Sequence, residues 1–128
     1  MNPLAWIDSL MTAQGLAVPP ELTSIIGRRS QDQGPFYFST ANQGEEDTER
    51  MNSMFPTRCV EAFGRRLDYD GVVCLVVADG DYPKGSVLVL HWDGWPGVEV
   101  DEDYPCLAAW AKAAESEIAE WERSNPEA

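Results

Sequence analysis

Residues 72–77 read VVCLVV and residues 86–92 read SVLVLHW, and these two stretches decide the fold. Both are short and rich in β-branched residues, which is typical of strands. Because the first stretch is apolar at every position, we expect a central strand that is covered on both faces. The intervening residues 78–85 are predicted to form a loop, and its segment 80–85 has the right length for a loose hairpin, so the two strands are predicted to pair antiparallel.

Weaker signals lie on either side of this hairpin. Residues 36–38, Phe-Tyr-Phe, predict a short aromatic strand, and Val98 and Val100 predict a third short strand after the hairpin. In residues 48–66 the apolar side chains recur mostly at helical spacing. Because proline cannot continue a helix, we predict two helical pieces there, separated at Pro56.

Two helices are predicted near the N-terminus. The first begins at Pro3 after a cap at Asn2, carries a periodic apolar face, and is stopped by Gly15. The second is shorter. It begins at Pro20 and ends at Gly27.

The clearest helical pattern lies near the C-terminal end. Asp103 is predicted to cap this helix, with Pro105 in the first turn, and apolar residues follow on one face over 107–123. Together, these elements predict one α+β domain over residues 1–128. Its central antiparallel sheet is flanked by the N-terminal helices and by the long C-terminal helix.

The chain is strongly acidic. Its 128 residues include 22 Asp and Glu against nine Lys and Arg, which gives a net charge of −13 and a pI near 4.2. Residues 67–128 hold fourteen of the acidic residues and only three of the basic ones. Because a negatively charged protein surface repels phosphates, the net charge argues against nucleic acid as a direct partner and favours a basic protein. The alternative that the acidity only reflects an acidic proteome stays open.

We expect a cytoplasmic protein that does not associate with membranes. The longest uninterrupted apolar run, residues 72–78, is too short to cross a bilayer, and residues 1–9 lack the basic flank and apolar core of a signal peptide. The three cysteines, Cys59, Cys74 and Cys106, form no close pair. This spacing argues against a secreted protein held together by disulfides.

Motifs for catalysis or metal binding are not evident. His91 is the only histidine, and it lies inside a predicted strand, so it is a poor candidate for a catalytic base. Scattered cysteines with one histidine do not make a zinc site, and the glycines form no phosphate-binding loop. We therefore predict no enzymatic activity, no metal and no cofactor. A small hydrolase that uses paired carboxylates is kept as a weaker hypothesis.

A surface of aromatic and acidic residues is the candidate partner-binding site. Aromatic rings supply desolvated anchor area and cation–π contacts, and carboxylates speed the encounter with a basic partner and pair with its Arg or Lys. Such residues occur in the predicted hairpin and in the segment between it and the last helix. The predicted contact residues are Asp79, Asp81, Tyr82, Trp92, Asp93, Trp95, Glu99, Asp101, Glu102 and Asp103.

The order of several motifs is also informative. An amphipathic helix comes first, Pro-Pro-Glu-Leu at residues 19–22 opens a second helix, and Phe-Pro at 55–56 precedes the sheet. The strand pair ends in His-Trp-Asp-Gly at 91–94, and Asp-Tyr at 103–104 leads into the last helix. In this order the chain resembles the SMI1/KNR4 superfamily, also called SUKH, which includes many immunity proteins of bacterial toxin systems.

The resemblance implies a single SUKH-like immunity domain without enzymatic activity. Such a protein binds a cognate bacterial toxin and blocks its active site or substrate channel. We accordingly expect the partner to be a toxin or effector protein with a basic surface. The alternative function is that of an adaptor or chaperone for a secreted effector, which would leave its partner active.

Overall fold

The computed structural model describes residues 3–26, 34–68, 70–91 and 99–126. In chain order, its elements are α1 (Pro3–Ala13), α2 (Pro20–Ile26), β1 (Phe36–Phe38), α3 (Ala41–Met54), β2 (Arg58–Arg66), β3 (Gly71–Asp79), β4 (Val87–His91), β5 (Val100–Tyr104) and α4 (Leu107–Ser124). The strands form one antiparallel sheet in the order β1-β2-β3-β4-β5. The predicted α+β class, with an antiparallel sheet and a C-terminal helix, is confirmed.

β3 lies at the centre of the sheet, between β2 and β4. Its residues from Gly71 to Val76 are all buried. Val73 and Leu75 pack into a first core together with α1, α2 and α4, whereas Cys74 and its alternate neighbours pack into a second core. Because successive side chains of a strand point to opposite faces, two covered faces require an unbroken apolar run. The prediction of a doubly covered central strand is confirmed.

Trp110 of α4 lies within the first core. Its ring meets the rings of Phe36, Phe38 and Phe63 edge-on, at centroid distances of 5.5, 6.0 and 5.3 Å. Such pairs each contribute about 0.5–1.5 kcal/mol beyond the burial of their area. They dock α4 on the sheet over β1 and β2. The predicted apolar face of this helix is confirmed by its buried residues Leu107, Trp110, Ala111, Ala114 and Ile118.

Helix side chains form hydrogen bonds with part of the backbone at the outer edge of β2. β1 pairs only with the last three residues of β2. Beyond β1, Asn52 of α3 donates to the Val60 carbonyl at 3.1 Å and accepts from the Val60 N–H at 2.9 Å. Thr48 Oγ1 accepts from the Ala62 N–H at 2.9 Å, and Trp6 Nε1 of α1 donates to the Ala62 carbonyl at 3.1 Å. These side chains form hydrogen bonds with four backbone groups that would otherwise need a longer β1 as their partner.

The spacing of residues on α3 matches the spacing of the backbone groups on β2. Residues four apart on a helix are about 6 Å apart along its axis, and residues two apart on a strand are about 6.7 Å apart, so Thr48 and Asn52 reach both backbone positions together. Trp6 reaches the same edge across α3 at Gly44, where a Cβ atom would lie 2.1 Å from Trp6 Nε1. Any larger residue at this position would displace the indole. The crossing of α1 and α3 therefore requires a glycine.

Residues 58–66 form a strand, so the prediction of a second helical piece there is wrong. The pairing of β2 with β3 is irregular at two places, between Cys59 and Val60 and between Ala62 and Gly64. A bulge adds one residue to the strand and shifts the alternation of its two faces. Only the second irregularity places its extra residue, Phe63, in β2, and the buried positions of β2 consequently do not recur at every second residue. This irregular strand has an apolar spacing that imitates a helix.

α3 begins at Ala41, earlier than the helical start predicted at residue 48. A capping box begins the helix: Thr40 Oγ1 accepts from the Gln43 N–H, and the Gln43 side chain accepts from the Thr40 N–H. Because the first turns of α3 are polar, apolar periodicity could not locate them. The predicted break at Pro56 is confirmed, since this proline lies between α3 and β2.

Asp103 lies in β5, opposite Leu88 of β4, so its predicted role as a helix cap is wrong. Strand pairing holds this residue in the sheet. Cys106 takes the cap position of α4 and makes no side-chain capping bond. β5 itself begins at Val100, where a short strand was predicted.

The other predicted boundaries near the N-terminus hold where the structure describes them. α1 and α2 begin at Pro3 and Pro20, and Gly15 follows α1 with a φ of 72°, a conformation that glycine adopts readily. In the described ranges, no helix combines the length and the apolar character needed to cross a membrane. The predictions at Asn2, Gly27 and Val98 fall outside the described residues.

Replacing Asn52 by alanine removes both of its bonds to Val60. We expect Asn52→Ala to lower the free energy of unfolding by about 1–3 kcal/mol, because two backbone groups lose their partner. Asn42→Ala, at an exposed position of α3, makes the same change in helix propensity and is the control. Urea unfolding measures both variants. Equal losses in the two would contradict the role of Asn52.

Glu61 of β2 introduces a dependence of stability on pH. Burial raises the pKa of its carboxyl above the ordinary value of 4.5, and a hydrogen bond from Thr48 lowers it by a smaller amount. Because the pKa is higher in the folded state, the ionised carboxylate disfavours folding at neutral pH. This penalty disappears as the pH falls through the folded-state pKa to below 4.5.

Replacing Glu61 by glutamine removes this penalty and keeps an acceptor for Thr48. We expect the stability of Glu61→Gln relative to the parent chain to be highest at pH 7 and to decline as the pH is lowered to 4. Glu49→Gln, at an exposed position of α3, controls for the loss of one carboxylate. Thermal unfolding across this pH range measures the difference. A difference that grows toward low pH would refute the assignment.

Candidate functional site

The ten predicted contact residues divide into three sets. Trp92, Asp93 and Trp95 lie outside the described residues. The inward set has buried or half-buried residues and consists of Asp79, Tyr82, Glu99 and Glu102. The exposed set consists of Asp81, Asp101 and Asp103.

Arg58, at the start of β2, gathers three members of the inward set into an Arg58 cluster. Its guanidinium donates to Glu99 Oε1 at 3.0 and 3.2 Å and to Asp79 Oδ2, and its Cζ lies 5.6 Å from the centre of the Tyr82 ring. The side chains of Arg58, Asp79 and Glu99 are only 9%, 3% and 7% exposed. Burial acts to lower the pKa of Arg58, but the bonds and charges of the two carboxylates outweigh it and raise this pKa. The charges of Asp79 and Glu99 are thus paired with Arg58 inside the fold and are not presented to solvent.

The Arg58 cluster joins segments that are far apart in the sheet. Arg58 belongs to β2 and Glu99 precedes β5, so β3 and β4 lie between their positions in the strand order. The carbonyl of Glu99 also accepts from the His91 N–H at the end of β4, at 2.7 Å. Glu99 is therefore held by its backbone and by its side chain. The cluster positions the entry to β5, which carries two of the three exposed residues.

Glu102, the fourth member of the inward set, is engaged within β5. It accepts from the Tyr104 hydroxyl at 2.5 Å. Burial and then this bond to a carboxylate raise the pKa of Tyr104, so the phenol stays protonated and continues to donate at neutral pH. Glu102 is paired with Val89 of the first core and therefore lies on the face that α4 covers.

The exposed set presents three carboxylates to solvent. Asp81 lies in the turn after β3, where its N–H donates to Asp79 Oδ1 at 2.8 Å and so ties the turn to the Arg58 cluster. Asp101 is the extra residue of a bulge in β5, and Asp103 lies opposite Leu88. Among the described residues, none of these three carboxylates has an ion-pair partner.

Sequence reasoning missed the other two arginines of β2, which also neutralise acidic residues within the fold. Arg65 binds the fully buried Asp47 of α3 through two bonds of 2.7 Å. Arg66 binds Asp68 at 2.9 and 2.7 Å and Glu117 of α4 at 2.7 Å. Consecutive side chains of a strand point to opposite faces, which explains why the two arginines reach different helices. This signal was hidden because the segment had been predicted as a helix.

The described residues show no evident arrangement for metal or redox chemistry. In these parts of the chain, no group of three or more His, Cys, Asp or Glu side chains is placed to hold a metal ion. Cys74 lies in the second core, where burial raises the pKa of its thiol. Cys59 and Cys106 are exposed, and all three thiols are free.

A crevice of about 400 Å³ opens beside the turn from β2 to β3. Its lining is of mixed charge and includes Tyr37, Arg65, Arg66, Leu67, Asp68 and Asp70. Both guanidinium groups are already bonded to carboxylates. The crevice therefore offers an anionic ligand little uncompensated positive charge.

Comparisons with known proteins do not assign the chain to a family. No protein-family model matches it, and no curated protein or solved structure matches it significantly. The resemblance to the SMI1/KNR4 superfamily therefore stays a prediction from motifs.

Replacing Arg58 tests whether the Arg58 cluster is structural. We expect Arg58→Met to lose about 3–5 kcal/mol of unfolding free energy, because two buried carboxylates are left without a cation. Adding Asp79→Asn and Glu99→Gln to this variant is expected to restore most of the loss, because no buried charge remains. Arg123→Met, at an exposed position in the last turn of α4, is the control. Chemical unfolding of the four proteins measures the effect. A loss in Arg58→Met no larger than in the control would contradict a structural cluster.

Proposed function

We propose that this protein is an inhibitory binding protein, of the kind that confers immunity to a bacterial toxin. It binds the cognate toxin and neutralises it through an acidic surface centred on the exposed set. The toxin's contact surface is basic. The protein performs no chemistry of its own on the partner, and it acts by occupying the partner's active site or substrate channel.

The unequal pairing of charges carries this proposal. The three arginines of β2 form ion pairs with five carboxylates, whereas Asp81, Asp101 and Asp103 form no ion pair with any described residue. Exposed carboxylates without a cation create a negative potential at the surface, which steers a basic protein toward it and raises the association rate. Solubility alone needs no such bias toward one sign of charge.

The rigidity of the surroundings also supports the proposal. Asp81 is tied through Asp79 to the Arg58 cluster, and the entry to β5 is tied through Glu99 to the same cluster. Carboxylates held on ordered segments lose less conformational freedom when a partner binds. The inward set thus supports the exposed set, although it does not contact the partner in this proposal.

The candidate partner for a test is the product of the gene adjacent to the one that encodes this chain. We expect the parent chain to form a complex with it and to inhibit it. Association should slow as the salt concentration rises from about 0.05 to 0.3 M, because the Debye length shortens over this range. An adaptor or chaperone would form the complex but leave the partner active, so the partner's activity is assayed in parallel.

Removing two exposed charges locates the contact surface. We expect Asp101→Ser combined with Asp103→Ser to slow association at low salt by about tenfold, because it removes steering charge from the proposed contact surface. Glu115→Ser combined with Glu120→Ser removes the same charge from exposed positions of α4 and should change the rate by less than about twofold. Stopped-flow mixing measures the rates, and circular dichroism verifies the folds. Equal slowing in the two variants would mean that only the net charge of the protein matters, and it would contradict a contact between β5 and the partner.

A further inference from the structure

The two edges of the sheet differ in whether side chains form hydrogen bonds with their backbone. On the β1 side, three helix side chains hydrogen-bond to the uncovered backbone of β2. On the other side, β5 is the last strand in the sheet order. In the described part of the chain, no side chain hydrogen-bonds to the backbone of Val100, Asp101, Asp103 or Tyr104. An edge strand directs a row of N–H and C=O groups away from its only neighbour, so β5 can accept another strand.

The side chains of β5 select which strand can pair with it. Asp101 and Asp103 are exposed, and neither forms an ion pair with a described residue. Like charges on adjacent strands repel each other, and opposite charges attract. A second copy of β5 is therefore disfavoured, whereas a strand with Lys or Arg at alternate positions is favoured. The bulge at Asp101 disturbs the regular ladder there for any added strand, so the selection between strands rests on charge.

We propose that β5 takes up an extended basic segment of the partner as an added strand. The segment lies along the outer edge of β5, its backbone forms hydrogen bonds with that edge, and its Lys or Arg side chains pair with Asp101 and Asp103. This inference rests on the proposed function and names the element of the partner that makes the contact. In such complexes the backbone hydrogen bonds contribute affinity, and the alternate side chains contribute selectivity.

A pair of synthetic peptides separates strand addition from plain charge attraction. The first probe is a seven-residue peptide of alternating lysine and threonine. The second has the same sequence with every internal amide N-methylated, so it keeps the charge and loses the backbone donors on both of its edges. Fluorescence anisotropy measures both affinities with the full chain, and hydrogen exchange of the backbone amides locates the site.

We expect the first peptide to bind about tenfold or more tightly than the second, because each lost hydrogen bond weakens binding several-fold. Binding should slow exchange within residues 100–104. Asp101→Ser with Asp103→Ser should weaken binding, whereas Glu115→Ser with Glu120→Ser should have a smaller effect.

Equal affinity for the two peptides, unchanged exchange within residues 100–104, or no binding at about 1 mM peptide overturns strand addition. Each of these results leaves the proposed function standing, because that function is tested with the toxin and its activity. Conversely, a toxin that binds independently of the exposed set, or stays active in the complex, overturns the proposed function whatever the peptides do.

Discussion

The backbone of β2 that β1 does not cover imposes the constraint on which the rest of the structure depends. A buried N–H or carbonyl without a partner costs about 1–3 kcal/mol, so four such groups would remove much of the stability of a small domain. Asn52 and Thr48 supply partners from α3, and Trp6 supplies one from α1. These bonds set the positions of two helices relative to the sheet, and the close crossing of those helices at Gly44 follows from them.

The same strand organises the electrostatics of the molecule. Arg58, Arg65 and Arg66 all lie in β2, and each binds carboxylates from another part of the chain. Breaking the pairs of the buried Asp47, Asp79 and Glu99 is costly, since it leaves an unbalanced charge in the interior. Three of the chain's nine cations are used in this way, and fewer remain to balance the acidic residues at the surface. The acidic character of the exposed set is therefore linked to how the interior is held together.

The Arg58 cluster connects the interior with the proposed contact surface. Through Asp79 it holds the turn that carries Asp81, and through Glu99 it holds the entry to β5. One edge of the sheet is thus closed by helix side chains, while the other is kept ordered and charged. An acidic edge protects against pairing with identical copies and remains compatible with a basic strand. Protection from aggregation and selective binding can therefore depend on the same residues.

The amino-acid sequence by itself determined the elements whose signal is local: the continuous apolar run of β3, the apolar face of α4, and the break at Pro56. Only the tertiary structure decided that residues 58–66 are a strand, because a bulge at Phe63 shifts the alternation on which a sequence pattern depends. It also decided which carboxylates remain exposed. Asp79 and Asp81 look equivalent in the sequence, yet Asp79 meets an arginine 21 residues away along the chain, and Asp81 meets none in the part of the chain that the structure describes. Pairing of charges depends on the distances that folding creates, and these distances are not contained in the local pattern.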